Sequence, residues 1–297
     1  MKILLAIDSS SASQNVIAEA AARPWPSRTR FCVLHIVDVL GMGRSLAMID
    51  EEKRSGQALV AAAAEKLVRA GHETSTDILV GFPRKAVLQY AGEWKADFVM
   101  VGSHGQSALS RFLLGSVAQA VLRTAPCSVE VVRGGVHESP LRQGMKILLG
   151  TDGSEGASVA TKSVANRPWP AGSQVKIVSA VQLLVPGNEM MMSSSAPIYP
   201  TSLLEEVWSE VRSSAHEAVA ESRKTLETAG MKIVTGETTP RGRPSGCLAC
   251  ASEGMGRGFN RSWFVWASRD RPCTHGKRLG ISGAARPLLS GGHSRVA

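Results

Sequence analysis

The chain repeats itself, and this repeat limits the folds open to it more than any other feature. The opening MKILLAIDSS aligns with MKILLGTDGS at 145–154, and ARPWP at 22–26 aligns with NRPWP at 166–170 at the same offset. Five identical opening residues and a shared Arg-Pro-Trp-Pro indicate a tandem duplication. We take residues 1–136 as the first copy and residues 145–239 as the second, joined by the Gly- and Pro-containing segment 133–144.

Within each copy, strand-like and helix-like segments alternate. KILLAI is a continuous apolar run, as expected for a parallel strand that is buried on both faces. Ser11 or Ser13 can cap a helix that runs to Ala22, where Pro24 and Pro26 end it. Further helices are predicted at 51–70, 84–94 and 116–124. The pattern predicts an α/β fold, a doubly wound five-stranded parallel sheet, with an incomplete second copy.

The resemblance between the copies ends at residue 239, and 240–297 is a basic segment rich in Arg, Gly, Ser and Pro. Residues 237–297 hold ten Lys and Arg against three Asp and Glu, so most of the net charge of +9 lies here. We interpret this tail as out-of-frame translation or a disordered basic extension, without a fourth or fifth strand. The positive charge is therefore no evidence for specific nucleic-acid binding.

Composition and cysteine usage narrow the class of protein further. A hydrophobic fraction of 43% with 20% charged residues is typical of a globular protein. No apolar run of about 18 residues suggests a membrane span, and Asp8 interrupts the only candidate signal peptide. The sequence therefore predicts a cytoplasmic protein without a disulfide framework. Cys247, Cys250, Cys273 and His275 imitate a zinc site, but their spacing is irregular.

Glycines follow the predicted fourth strand at fixed spacings. Gly102 and Gly105 allow a tight turn and a close approach of the backbone to a ligand. Nine residues later Gly115 and Ser116 begin a helix, whose free N–H groups suit a phosphate. The loop after strand four should lie beside the loop after strand one, because strand order reverses between them. Asp8, at the end of strand one, could then accept hydrogen bonds from a ribose.

This set, G-x-x-G-x(9)-G-S between a strand and a helix with Asp8 ending strand one, resembles the universal stress protein family, specifically its ATP-binding branch. The resemblance implies an adenine-nucleotide α-hydrolase-like fold, ATP as ligand and a stress-response role. A single carboxylate such as Asp8 is a poor metal site, so ribose contact, or Mg²⁺ held through the phosphates of the nucleotide, is preferred. The resemblance also implies a role for each site residue. Asp8, which follows Ile7, would contact the ribose, and the backbone of Ile36 would contact the adenine. Gly102 and Gly105 would hold the ribose and the α-phosphate. The outer phosphates would be bound by Gly115, Ser116 and Val117. Ala118 departs from members that carry a hydroxyl there.

The second copy retains Asp152 but has no counterpart to the glycine set, so its site is predicted to be inactive. An alternative function for the first copy is a slow ATPase or another nucleotide hydrolase or transferase. Against it, no paired carboxylates and no Walker lysine can be placed in the crevice. His104 could be a catalytic base, but a loop histidine facing solvent is the simpler interpretation. A pseudogene product without cellular function is a third alternative.

The predicted last strand of the first copy bears on assembly. The resemblance implies that this strand, Ser128–Arg133, pairs with the same strand of a partner. With no fifth strand in the second copy, Ser128–Arg133 should be an edge strand with unpaired backbone groups. We therefore expect a homodimer, or an intramolecular pseudo-dimer, through this segment.

Overall fold

The computed structural model describes residues 1–38, 46–104, 114–132, 144–180, 201–239, 262–266 and 279–282. Strands and helices alternate within the first copy, as the sequence predicts. In the first copy they are β1 (Lys2–Ile7), α1 (Ser11–Ala22), β2 (Arg30–Asp38), α2 (Leu46–Arg69), β3 (Glu73–Gly81), α3 (Pro83–Glu93), β4 (Phe98–Gly102), α4 (Ser116–Thr124) and β5 (Ser128–Val132). They continue as β6 (Lys146–Gly150), α5 (Glu155–Ala165), β7 (Gln174–Ala180), α6 (Thr201–Thr228), β8 (Lys232–Thr239), β9 (Ser262–Trp266) and β10 (Leu279–Ser282).

The strands form one ten-stranded sheet in the order β3-β2-β1-β4-β5-β10-β9-β6-β7-β8. All four pairings within β3-β2-β1-β4-β5 are parallel, which confirms the predicted five-stranded parallel sheet. β1 lies between β2 and β4, so the chain runs toward one edge of the sheet and then toward the other. The loops that follow β1 and β4 therefore emerge side by side at the carboxyl end of the sheet.

Both faces of the first copy's sheet are buried. On β1, Ile3, Leu5 and Ile7 belong to one hydrophobic cluster with α1 and α2, whereas Leu4 belongs to a second cluster with α3 and α4. This alternation explains the continuous apolar run, because successive side chains of a strand point to opposite faces. The first cluster also includes Ile147 and Leu149 of β6, so one core extends under both copies.

Two parts of the repeated sequence make the same hydrogen bonds in both copies. The indole nitrogen of Trp25 donates to the carbonyl of Ala20 at 2.8 Å, and that of Trp169 donates to Val164 at 2.7 Å. The strands that follow begin alike: the Arg30 amide donates to Met1, and the Gln174 amide to Met145, each at 2.8 Å. The repeated Arg-Pro-Trp-Pro therefore fixes how the first helix of each copy turns into the second strand.

Arg23, the first residue of that motif, forms a buried ion pair with β5. Its two terminal nitrogens donate to the two carboxylate oxygens of Glu130 at 3.1 and 2.9 Å, and one also donates to Glu19. Arg23 and Glu130 are 3% and 0% exposed. Burial opposes the charge of Arg23, but the two carboxylates outweigh it and raise the guanidinium pKa. The bidentate geometry ties the end of α1 to the middle of the sheet.

The second copy reproduces the first only in part. β6, β7 and β8 pair in parallel, and β9 lies parallel to β6 in the place that β4 takes beside β1. β10 is antiparallel to β9 and parallel to β5. The expectation that residues 240–297 contain no strand is therefore wrong at 262–266 and 279–282. The apolar stretches in this tail, such as SWFVW, are short and lie between Arg- and Gly-rich segments. The sequence pattern therefore did not indicate strands. Most of the tail lies outside the described residues.

The prediction that Ser128–Arg133 forms an edge strand is also wrong. β5 pairs with β4 on one side and with β10 on the other, and all five of its residues are buried. Arg133 itself lies outside the described residues, as does most of the linker 133–144. The strand is covered within the chain because β10 occupies the position that a partner strand would take.

Two helix starts differ from their predictions. The N-cap of α1 is Ser10, rather than Ser11 or Ser13: its side chain accepts a hydrogen bond from the amide of Ser13. Helix α2 begins at Leu46, five residues before the predicted start at 51. In the part of the chain that the structure describes, no helix is long and apolar enough to cross a membrane.

We predict that Glu130→Gln lowers the free energy of unfolding by about 3 kcal/mol, because it leaves the buried Arg23 guanidinium with less counter-charge. The matched control is Glu65→Gln, which breaks the exposed pair between Glu65 and Arg69 and should have little effect. Urea denaturation of the full chain measures both. Equal stability of Glu130→Gln and wild type would show that Arg23 does not require the charge of Glu130.

Candidate functional site

The loop after β1 holds the Asp8 carboxylate in place with three hydrogen bonds. Oδ1 of Asp8 accepts from the Ser10 amide at 3.0 Å, from the Ser13 hydroxyl at 2.7 Å and from the Ser10 hydroxyl. The Ser13 hydroxyl in turn accepts from the Asp8 amide at 2.9 Å. Asp8 is half-buried and Ser13 is buried. The carboxylate is therefore fixed by the first turn of α1 at the end of the strand.

The loop after β4 returns to its own starting point. The Ser103 amide donates to Val132 at the end of β5 at 2.9 Å, and the Ser103 carbonyl accepts from the Gly115 amide at 2.8 Å. The chain between these two residues thus leaves β4 and comes back beside it, as a shared contact with one ligand would require. The Ser10 hydroxyl lies 3.4 Å from the carbonyl of His104, so the β1 and β4 loops meet.

Helix α4 begins at this meeting point. Gly115 is its N-cap. Because glycine has no side chain, this residue makes no side-chain hydrogen bond to the N–H groups of the first turn. Ser116 is exposed, Val117 is half-buried and Ala118 is buried. The start of a helix carries a partial positive charge and unpaired N–H groups, which together favour an anion.

Gly102 is required by the packing of β4 against α1. A Cβ at this position would lie 2.8 Å from the Cβ of Ala12 and 3.1 Å from its carbonyl carbon. Both distances are shorter than normal van der Waals contact, so only glycine lets the end of β4 pass this close to α1. The glycine spacing in the sequence suggested a role at the ligand and gave no sign of this contact.

His104 is not the solvent-facing loop residue that the sequence suggests. The residue is half-buried, its Nδ1 lies 2.9 Å from the Ser103 hydroxyl, and its Nε2 is buried without a hydrogen-bond partner among the described residues. Buried ring nitrogens normally find a partner. This orphaned atom at the junction of the two loops is an observation that fits a polar ligand there.

Ile7 ends β1, and Ile36 lies near the carboxyl end of the neighbouring strand β2. Ile7 pairs with His35 at the last rung between β1 and β2, and Ile36 is the next residue of β2. Both isoleucines are buried. His35 donates from Nδ1 to the Ile7 carbonyl at 2.9 Å, so its ring is held by a hydrogen bond within the fold.

The structure brings Asp8, Gly102, Gly115 and Ser116 to one edge of the sheet, with Ile7 and Ile36 alongside. Gly105 lies outside the described residues, as do the four residues of the zinc-like pattern. Among the described residues, no group of three or more His, Cys, Asp or Glu side chains could hold a metal ion. In the second copy Asp152 occupies the position of Asp8 and accepts one hydrogen bond, from the Ser154 amide at 2.9 Å.

Three serines that the sequence pattern did not single out as site residues lie at this site. Ser10 and Ser13 hold Asp8, and Ser103 anchors both ends of the β4 loop. The run of serines directly after Asp8 was the available signal for the first two. Hydroxyl residues two and five positions beyond a strand-terminal aspartate can reach back to it across the start of a helix.

The class of protein follows from these features: an open parallel α/β sheet whose binding crevice lies where the strand order reverses. Comparison with known proteins makes the class specific. The model of the universal stress protein family matches residues 1–133. A universal stress protein of Methanocaldococcus jannaschii is 30% identical over 138 residues, which cover 44% of this chain and 81% of the relative. The chain belongs to the universal stress protein family.

Two further matches support the family and the fold. A universal stress protein of Thermus aquaticus is 31% identical over 142 residues, covering 44% of this chain and 97% of that protein. The crystal structure of a universal stress protein from Archaeoglobus fulgidus matches with a TM-score of 0.60 at 16% identity, covering 95% of this chain and 96% of the other. At this identity the second match shows the fold alone, and it extends over both copies.

We predict that Gly102→Ala lowers the free energy of unfolding by about 1–3 kcal/mol, since the added methyl must displace Ala12 or the end of β4. Gly92→Ala is the matched control, because a methyl there meets nothing within 4 Å and suits a helix. The control should be as stable as wild type or more so. Thermal unfolding of both variants measures the difference. A Gly102→Ala protein that is as stable as the control would contradict the packing argument.

Proposed function

We propose that the first copy binds an adenine nucleotide, ATP, in the crevice between the β1 and β4 loops. The carrying observation is that the β4 loop closes on itself through Ser103 and Gly115 while the Ser10 hydroxyl reaches the carbonyl of His104. These contacts bring a strand-terminal carboxylate and a helix start with a glycine N-cap to one place. A nucleotide offers matching groups, since its ribose carries hydroxyl donors and its phosphates accept from N–H groups.

The roles implied by the family resemblance fit this geometry. Asp8 would accept from ribose, the backbone of Ile36 would contact adenine, and Gly115, Ser116 and Val117 would bind phosphates. The buried, unpartnered Nε2 of His104 supports a polar ligand at the same junction. Mg²⁺ would arrive with the phosphates of ATP, and the described residues supply no separate metal site. The role of Gly105, outside the described residues, stays a prediction.

The proposed activity is regulatory, with nucleotide occupancy altering the surface of the crevice in a stress response. Asp8 and His104 are the titratable side chains that the described part of the crevice offers for a hydrolytic reaction. Oδ1 of Asp8 already accepts three hydrogen bonds, which leaves that oxygen poorly placed to take a proton from water. These contacts favour binding over fast chemistry. The cytoplasmic location expected from the sequence stays a prediction.

In this proposal the second copy has a structural role. It lacks the glycine set, and its β10 covers the outer side of β5. An intramolecular pseudo-dimer through Ser128–Arg133 is therefore the form of assembly that the pairing supports. A homodimer through the same strand would require β10 to be displaced.

We predict that Gly115→Val weakens ATP binding at least tenfold, by about 1.4 kcal/mol or more, because a branched side chain would stand where the phosphates lie. The backbone of Gly115, at φ −59° and ψ 152°, is accessible to valine, so the variant should fold. Isothermal titration calorimetry with ATP and Mg²⁺ measures the affinity.

The matched control is Gly92→Val on the exposed side of α3, which should bind ATP like wild type and change the helix only modestly. A folded Gly115→Val protein with unchanged affinity would contradict the proposed phosphate site. Absence of ATP binding by the wild-type protein would contradict the proposed function as a whole.

A further inference from the structure

The Ser13 hydroxyl forms a closed ring with Asp8 that has no equivalent in the second copy. It accepts from the Asp8 amide at 2.9 Å and donates to Asp8 Oδ1 at 2.7 Å. One hydroxyl therefore connects the backbone and the side chain of the same residue, which restricts the torsion angles between them. Ser13 is 3% exposed, so water does not compete for these bonds.

Ser10 provides a second contact but cannot replace Ser13. Its hydroxyl donates to Asp8 Oδ1 and accepts from the Ser13 amide at 3.3 Å, so it also caps helix α1. The Ser10 hydroxyl is thereby tied to the position of the helix. Ser13, in the first turn of α1, is the residue that holds Asp8 from within the helix.

The second copy is a natural comparison within the same chain. Ser154 takes the place of Ser10 and again caps a helix, accepting from the Ala157 amide at 3.2 Å. Ala157, however, stands in the place of Ser13 and has no hydroxyl. The structure gives Asp152 a hydrogen bond from the Ser154 amide in place of the three that Asp8 accepts. Both copies therefore have the capping serine. The ring of hydrogen bonds between Ser13 and Asp8 occurs in the first copy, which is also the copy with the glycine set.

We propose that Ser13 is a positioning residue that orients Asp8 for the ribose of the nucleotide and so sets the preference for ribonucleotides over deoxyribonucleotides. This inference rests on the proposed nucleotide site and adds a specificity role to a residue outside the glycine set. A site built to accept a hydrogen bond from a hydroxyl rejects an analogue that lacks the hydroxyl, because its polar group is then left unpaired. That discrimination requires a carboxylate held in one orientation.

The test is calorimetric titration of the full-length protein with ATP and with 2′-deoxy-ATP, each with Mg²⁺. Wild type should prefer ATP. Ser13→Ala, which installs the second copy's residue, should weaken ATP binding by about fivefold or more while changing 2′-deoxy-ATP binding little, so that the preference falls toward one. The control is Ser11→Ala, an exposed serine of the same helical turn, which should keep the wild-type preference. Ser13→Cys takes the place of Ser13→Ala in this test if Ser13→Ala folds poorly. A cysteine has a similar volume but is only a weak hydrogen-bond donor, so Ser13→Cys should also lose the preference for ATP.

Three results would overturn the inference while the proposed function stands. They are a wild type that binds both nucleotides equally, a Ser13→Ala protein that keeps the preference, and a Ser13→Ala protein that loses affinity for both nucleotides in equal proportion. The last of these is what a merely structural serine would produce. A wild type that binds neither nucleotide would instead contradict the proposed function itself.

Discussion

The position of β1 between β2 and β4 is the constraint on which the rest of the first copy depends. The strand is hydrogen-bonded on both sides, with Ile7 opposite His35 and Ala6 opposite Val101, and it is covered by helices on both faces. This register puts the residue after β1 level with the residues after β4. Asp8 and Ser103 are therefore neighbours although they are distant in sequence. The loops that follow can vary in sequence, but their starting points cannot move apart without loss of the central pairing.

The buried charges show how the two copies depend on one another. Arg23 binds Glu130 on β5, and burial raises the pKa of the Glu130 carboxyl above its usual value even though the charge of Arg23 opposes this shift. Arg167 is the counterpart of Arg23 in the second copy, and its guanidinium carbon lies 4.4 Å from the centre of the Phe98 ring on β4. Its charge likewise opposes the rise of the Glu130 pKa. An arginine from each copy thus acts on one buried carboxylate of the first. The second copy contributes electrostatics and packing to the first even though its own glycine set is missing.

Most of the first copy could be predicted from its sequence, and the exceptions have physical reasons. The apolar run of β1, the prolines after α1 and the Gly115-Ser116 start of α4 are local signals, and each marks its element to within a residue or two. The extended start of α2 and strands β9 and β10 were missed because their formation depends on tertiary contacts rather than on local pattern. β10 exists in the fold as a partner for β5 and β9, and nothing in LGIS indicates either pairing.

The site was predicted as a set of positions rather than as a set of contacts. Spacing identified Asp8, Gly115 and Ser116, because a strand end and a helix start are visible in sequence. It could not reveal that Gly102 touches Ala12, nor that Ser13 binds Asp8, since both contacts depend on how α1 packs on the sheet. These contacts determine the orientation of the groups, and therefore the selectivity of any site that they form.

The central claim is that the first copy alone binds an adenine nucleotide between the β1 and β4 loops. Hydrogen–deuterium exchange of the full-length protein with and without ATP tests this claim most directly, because it reports each loop separately. The account predicts that ATP slows exchange at 8–13 and 114–118 and leaves the corresponding segment of the second copy, 152–157, unchanged. Equal protection in both copies, or protection in neither, would contradict it.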